Sequence, residues 1–152
     1  MTEMDFVLCK IKNFTSAEVR KTGADLKDVQ VDTMVALQKL RKHLGRRIGL
    51  LYNGMTTGTH KAKEHPQGLA VDWFLYPKDG KIQSKTIWQY AVMSGFRGVG
   101  IYYNIELKNY SFHTDLRSIP NFWGGVKKDT KDKWIYFNLF HDPKEFISQR
   151  RI

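Results

Sequence analysis

Behind Asp32, the apolar residues Met34, Leu37, Leu40 and Leu44 recur at three- and four-residue spacing, with Lys39, Arg41 and Lys42 among them. That period predicts an amphipathic helix, and Gly45 is placed to end it. Residues 48–52 form a short apolar run that predicts a buried strand, followed by an Asn53-Gly54 turn and a polar loop rich in glycine and threonine from Met55 to Glu64. Residues 69–75 read as a second buried strand, closed by a turn at residues 77–80. Ser84 is placed to cap a helix whose Ile87, Tyr90, Ala91 and Met93 face the core before Gly95 stops it. Further strands are expected at residues 98–103, 111–117 and 134–137, with residues 121–125 as an irregular, aromatic-anchored loop. Thr15-Ser16-Ala17-Glu18 has the form of a capping box for a short helix limited by Gly23, and residues 142–145 open a final helix. The whole is expected to be one α+β domain over residues 1–152, a small, mostly antiparallel sheet with flanking helices.

One residue breaks the pattern. Asp72 is a carboxylate inside the otherwise apolar run Leu69-Ala70-Val71-Asp72-Trp73-Phe74-Leu75. A carboxylate there is costly unless it is paired, hydrogen-bonded, protonated or bound to metal. His65 lies seven residues upstream, and Pro66-Gln67-Gly68 forms a turn able to fold the imidazole back toward Asp72. In the strand at 111–117, His113, Asp115 and Arg117 alternate and so share one face. His65, Asp72 and His113 together make a three-ligand site suited to Zn²⁺ with a fourth position open, the arrangement of catalytic rather than structural zinc. The plainer alternative for Asp72 is an ion pair with Arg97 or Arg117.

Composition narrows the classes. A 41% hydrophobic and 13% aromatic chain is expected to fold throughout rather than remain disordered. Its single cysteine, Cys9, excludes an internal disulfide or a cysteine zinc finger, and its apolar neighbours Phe6, Val7 and Leu8 predict packing. The acidic start, Met1 to Asp5, reads as neither a signal peptide nor a membrane anchor, so synthesis in a cytoplasm is expected. A formal net charge of +10 favours a polyanionic neighbour. That neighbour is nucleic acid or an anionic cell wall, and charge alone does not choose; against nucleic acid, the basic residues are scattered and no common binding motif appears.

The segment Lys63-Glu64-His65-Pro66-Gln67-Gly68-Leu69-Ala70-Val71-Asp72, the glycine-rich Gly98-Val99-Gly100-Ile101-Tyr102 and the later Phe112-His113-Thr114-Asp115-Leu116-Arg117 resemble the M15 family of zinc peptidases. That group includes D-alanyl-D-alanine carboxypeptidases and phage endolysins and shares a fold with the hedgehog signalling domain. The resemblance spans roughly residues 32–117 and rests on the order and register of His65, Gly68, Ala70, Asp72 and His113. It implies a hedgehog-like fold, Zn²⁺ as cofactor, and hydrolysis of peptidoglycan stem peptides or cross-links by a carboxypeptidase or endopeptidase of phage type, released into the host or carried in a virion. The chain departs from the family at Lys63, where serine is usual. It departs also at Leu51-Tyr52-Asn53-Gly54-Met55, where family members often carry a carboxylate-binding arginine. Some relatives place an acid three residues before the last histidine, where Tyr110 stands.

A zinc at such a site polarises a carbonyl and lowers the pKa of water toward about 7. A proton acceptor is still required. Asp115 is the candidate base, with an equal claim as a hydrogen-bond partner of a ligand imidazole. Glu64, next to His65, is a second candidate. Arg117 and His60 are candidate substrate-binding residues. The non-enzymatic alternative is a binding or structural part of a virion that retains the peptidase fold.

Overall fold

A computed structural model of the chain describes residues 1–56, 63–76, 82–129 and 131–138. Four helices and six strands follow one another as α1 (Glu3–Leu8), α2 (Ser16–Arg20), α3 (Val31–Leu44), β1 (Ile48–Leu50), β2 (Ala70–Leu75), α4 (Ser84–Met93), β3 (Gly98–Asn104), β4 (Asn109–Asp115), β5 (Asn121–Lys127) and β6 (Ile135–Asn138). A single 3-10 turn, Leu26–Asp28, precedes α3. The strands form one mixed sheet in the order β1-β2-β4-β3-β5-β6. All neighbouring pairs are antiparallel except β3 and β5, which run parallel. The α+β expectation is met.

Local chemistry accounts for two boundaries, whereas Ser84, expected as a cap, is the first residue of α4, which starts after Gln83 with no side-chain cap. The Thr15 hydroxyl accepts from the Glu18 amide while the Glu18 carboxylate accepts from the Thr15 amide, the reciprocal pair expected of a capping box. Gly45 ends α3 in the left-handed conformation at φ 60°. Met34, Leu37, Leu40 and Leu44 face a core shared with Ile87 and Ala91 of α4 and with Ile48, Val71, Trp73, Val99, Ile101 and Phe112 of the sheet. The alternate residues of the central strands therefore look away from these helices. No helix among the described residues is long and apolar enough to cross a membrane.

Three expectations are corrected, and one element is new. Residues 121–125 are not an irregular loop but the greater part of β5, paired with β3 along its full length. Its two-residue period is masked because Gly124 and Gly125 have no side chain to mark a face. Residues 3–8 form a helix that the polar start of the chain does not announce. Cys9 is exposed rather than packed. The chain turns at Lys10 through φ 52°, so that Ile11 takes the buried place. Met93 is 63% exposed, on the side of α4 opposite Ile87 and Ala91. The expected turn at 77–80 and helix from 142 lie outside the described residues.

Candidate metal centre

Asp72 of β2 and His113 of β4 are directly paired across the antiparallel ladder, on the face turned away from the helices. His65 arrives from a turn before β2. The Gly68 amide donates to the His65 carbonyl at 2.9 Å and the Leu69 amide to the Glu64 carbonyl at 2.9 Å. Gly68 takes φ 70° and lies so close to the Asp28 carbonyl that a Cβ would collide with it. The first turn of α3 grips the same peptide, since the Thr33 hydroxyl donates to the Gly68 carbonyl at 2.8 Å. The predicted fold-back of His65 over the strand is thus held by helix, turn and strand together.

The ligand atoms form a small triangle. His65 Nε2 lies 3.1 Å from His113 Nδ1 and 3.5 Å from Asp72 Oδ1, and the His113 Nδ1 to Asp72 Oδ1 distance is 2.8 Å. Neighbouring donors around tetrahedral zinc stand about 3.3 Å apart, given bonds of about 2 Å. The far side of each imidazole is also committed. His65 Nδ1 is 2.7 Å from the Met55 carbonyl, which can only accept, so that nitrogen carries a proton. His113 Nε2 is 2.7 Å from Asp115 Oδ2 and donates to it. His65 Nε2, His113 Nδ1 and Asp72 Oδ1 are then all acceptors turned toward one another. Such a cluster must hold a cation between these atoms, a proton or a metal ion. The donor set, with each histidine's tautomer fixed from behind, could hold a metal ion.

The charges respond accordingly. Burial works against a charged His113, but hydrogen bonds to Asp115 and Asp72 outweigh it and raise the imidazole from 6.5 to about 9. Burial likewise pushes Asp72 up, but His113 and His65 more than offset this and hold the carboxyl at about 2. Asp115, fully buried, is held well below the usual carboxylate range, because Arg117 and then His113 outweigh its burial.

Asp115 and Arg117 act behind His113 rather than in front of it. Arg117 lies just past the end of β4 and turns its fork back, with Nε 2.8 Å from Asp115 Oδ1 and an Nη 2.5 Å from Oδ2. Its guanidinium lies 4.9 Å over the Trp123 ring and 4.0 Å from Glu64 Oε2. Arg117 is thus Asp115's partner, and the partners of Asp72 within this cluster are imidazoles. His60 lies outside the described residues.

Gly54 completes the flank of the site. A Cβ there would stand 2.9 Å from the Asp72 carbonyl and 3.0 Å from the Asp72 Cβ, so only glycine lets the Asn53-Gly54 turn lie against β2. The fully buried Met55 follows and presents its carbonyl to His65. The role of Met55 has no side-chain signature in the sequence. Trp123 is also absent from the sequence-based candidates, although its ring lies 5.3 Å from that of His113. Gly100, over which the indole lies, is the one sequence signal that could have pointed to it.

Compared with known proteins, the chain matches no family profile, no curated protein and no solved structure.

Proposed function

We propose that this chain is a zinc peptidase of M15 type that hydrolyses peptide bonds in peptidoglycan stem peptides or cross-links during phage-driven wall lysis. The observation that carries the reading is the triangle of His65 Nε2, Asp72 Oδ1 and His113 Nδ1, with both imidazoles fixed from behind by Met55 and Asp115. A zinc ion held there supplies Lewis-acid polarisation of the scissile carbonyl and activation of water at neutral pH. Asp115 holds the His113 tautomer and adds negative charge behind it, and Arg117 keeps Asp115 ionised. Asp115 has no exposed surface, so we assign the proton acceptor for the attacking water and donor to the leaving amine to Glu64. Its side chain is 24% exposed beside His65 and is within 4.0 Å of Arg117. With Arg117 committed to Asp115, cleavage within a peptide is favoured over capture of a free C-terminal carboxylate. The net charge of +10 favours approach to an anionic wall, an attraction that added salt weakens.

Elemental analysis of the purified protein tests this, alongside His65→Ala, Asp72→Asn and His113→Ala, each checked for folding. The expected result is about one zinc per wild-type chain, lost in all three variants. Digestion of cross-linked peptidoglycan should release new amino termini, a signal abolished by chelation and by Glu64→Gln. A folded wild type that neither contains zinc nor takes it up would overturn the metal site. Zinc retained without any cleavage would instead leave a binding or structural role in a virion.

A further inference from the structure

Beside the metal cluster, two aromatic rings cross the sheet in opposite directions. Tyr102 of β3 shares the face of His113, because it stands two residues from Gly100, which is paired with His113. Its ring leans over Gly125 of β5, where a Cβ would meet it at 2.7 Å. Trp123 of β5 leans the other way over Gly100, whose added Cβ would lie 2.7 Å from the indole Nε1. The two rings meet there, and the Trp123 indole N–H donates to the Tyr102 hydroxyl at 2.7 Å. The phenol oxygen is thus one hydrogen bond from the indole nitrogen that stands over Gly100, the residue paired with His113.

The chemistry of that bond fixes what Tyr102 can do. An indole nitrogen has no acceptor lone pair, so the phenol oxygen accepts and its own proton is left to donate. Among the described residues, Trp123 is the hydrogen-bond partner of that hydroxyl, and none accepts its proton. Burial raises the phenol well above its ordinary value, which keeps it a protonated donor across the working range. Asp72 and Arg117 are near enough for their charges to act on it.

We infer that Tyr102 is a substrate-contacting residue whose hydroxyl donates to the carbonyl oxygen of the scissile amide, with Trp123 as the positioning residue that aims it. The inference rests on the peptidase reading above. A preorganised donor of this kind contributes most when the oxygen gains negative charge. The bond costs little reorganisation, because Trp123 is itself wedged between Arg117 and the sheet.

The test uses the zinc-loaded full chain and acetohydroxamate, a small chelating oxyanion, as probe, with wild type, Tyr102→Phe and Trp123→Phe compared by titration calorimetry. Tyr102→Phe should keep its zinc and its fold and bind the probe about 10- to 100-fold more weakly, the range for a hydrogen bond to a charged acceptor. Trp123→Phe should show a smaller loss, since it leaves the hydroxyl present but unaimed. On a cleavable wall peptide, Tyr102→Phe should lower kcat with KM nearly unchanged. Equal probe affinity in a zinc-replete Tyr102→Phe overturns the inference while leaving the metal site intact. Loss of zinc or fold in that variant would make Tyr102 a structural post and also overturn it. A wild type that holds no zinc would remove the metal reading and this one with it.

Discussion

The central strands β2 and β4 carry two faces made of alternate residues, and the two are stabilised in opposite ways. On the helix side, Val71, Trp73, Phe112 and Thr114 are all nearly inaccessible and packed, with Trp73 stacked on Phe112 at 4.4 Å. A polar link, from the Trp73 indole to the Thr114 hydroxyl at 3.2 Å, crosses that layer. On the other side, Asp72, His113 and Asp115 hold one another through hydrogen bonds and charge. The first face depends on area removed from water and is indifferent to pH or ions. The second depends on a cation being present among its acceptors. The packed core and the candidate metal centre thus lie on opposite sides of the same strands, one residue apart.

The largest expected contrast comes from neighbouring residues. Trp73→Ala should destabilise the protein by about 3–5 kcal/mol, as truncation of a fully buried aromatic does. In the molecules that remain folded, zinc stoichiometry should be unchanged. Asp72→Asn, one residue earlier, should do the reverse, keeping a cooperative unfolding transition while losing the metal. Denaturant midpoints and zinc content measured on the same preparations check both halves. Loss of zinc from a folded Trp73→Ala would mean that the faces are not independent.

How much of this was legible in the sequence follows the same division. Helix α3 was readable because its apolar period and Gly45 agree, and the His65, Asp72 and His113 set because a carboxylate in an apolar strand demands partners. Strand register was not. That Asp72 pairs directly with His113 depends on β2 lying beside β4, a long-range choice that local pattern does not encode. Strand β5 was hidden by Gly124 and Gly125, the residues that make room for Phe137 and Tyr102. Arg117 was expected within the strand at 111–117, but β4 ends at Asp115, and the return of the side chain onto Asp115 depends on that end.

A second prediction sharpens the contrast through pH. His113 is raised from 6.5 to about 9, so in the metal-free protein its contribution is fully present below 6.5 and is lost as pH rises through 9. That window carries about 3 kcal/mol at the usual conversion of a pKa shift. Asp72 is lowered from 3.8 to about 2, so its contribution is present above 3.8 and is lost as pH falls through 2. Chelated protein should therefore be most stable between these windows and weaken on the alkaline side. Zinc-loaded protein should lack the alkaline loss, because the metal takes the place of the His113 proton. Zinc affinity should conversely rise as pH increases toward 9, with one proton released per ion bound. Unfolding midpoints across pH, with and without chelator, would show it, and parallel curves would refute it.

The smallest effect distinguishes the two roles open to Asp115. In the assigned role it orients His113 and adds charge behind the ligand, so Asp115→Asn should weaken zinc binding by about 10- to 100-fold. Asparagine keeps the shape but not the charge, and its amide can present a donor where His113 Nε2 needs an acceptor. That reversal favours the tautomer with the proton on Nδ1, the atom turned toward Asp72 and His65. It also leaves the Arg117 guanidinium, part-buried against Trp123, without its carboxylate. Competition with a chelator of known affinity reads the loss directly and requires no turnover. If Asp115 were instead the proton acceptor of the reaction, Asp115→Asn would leave zinc affinity intact and abolish cleavage alone. The geometry argues for the first outcome, since Asp115 Oδ2 lies 2.7 Å from the nitrogen on the far side of the imidazole from the ligand atom.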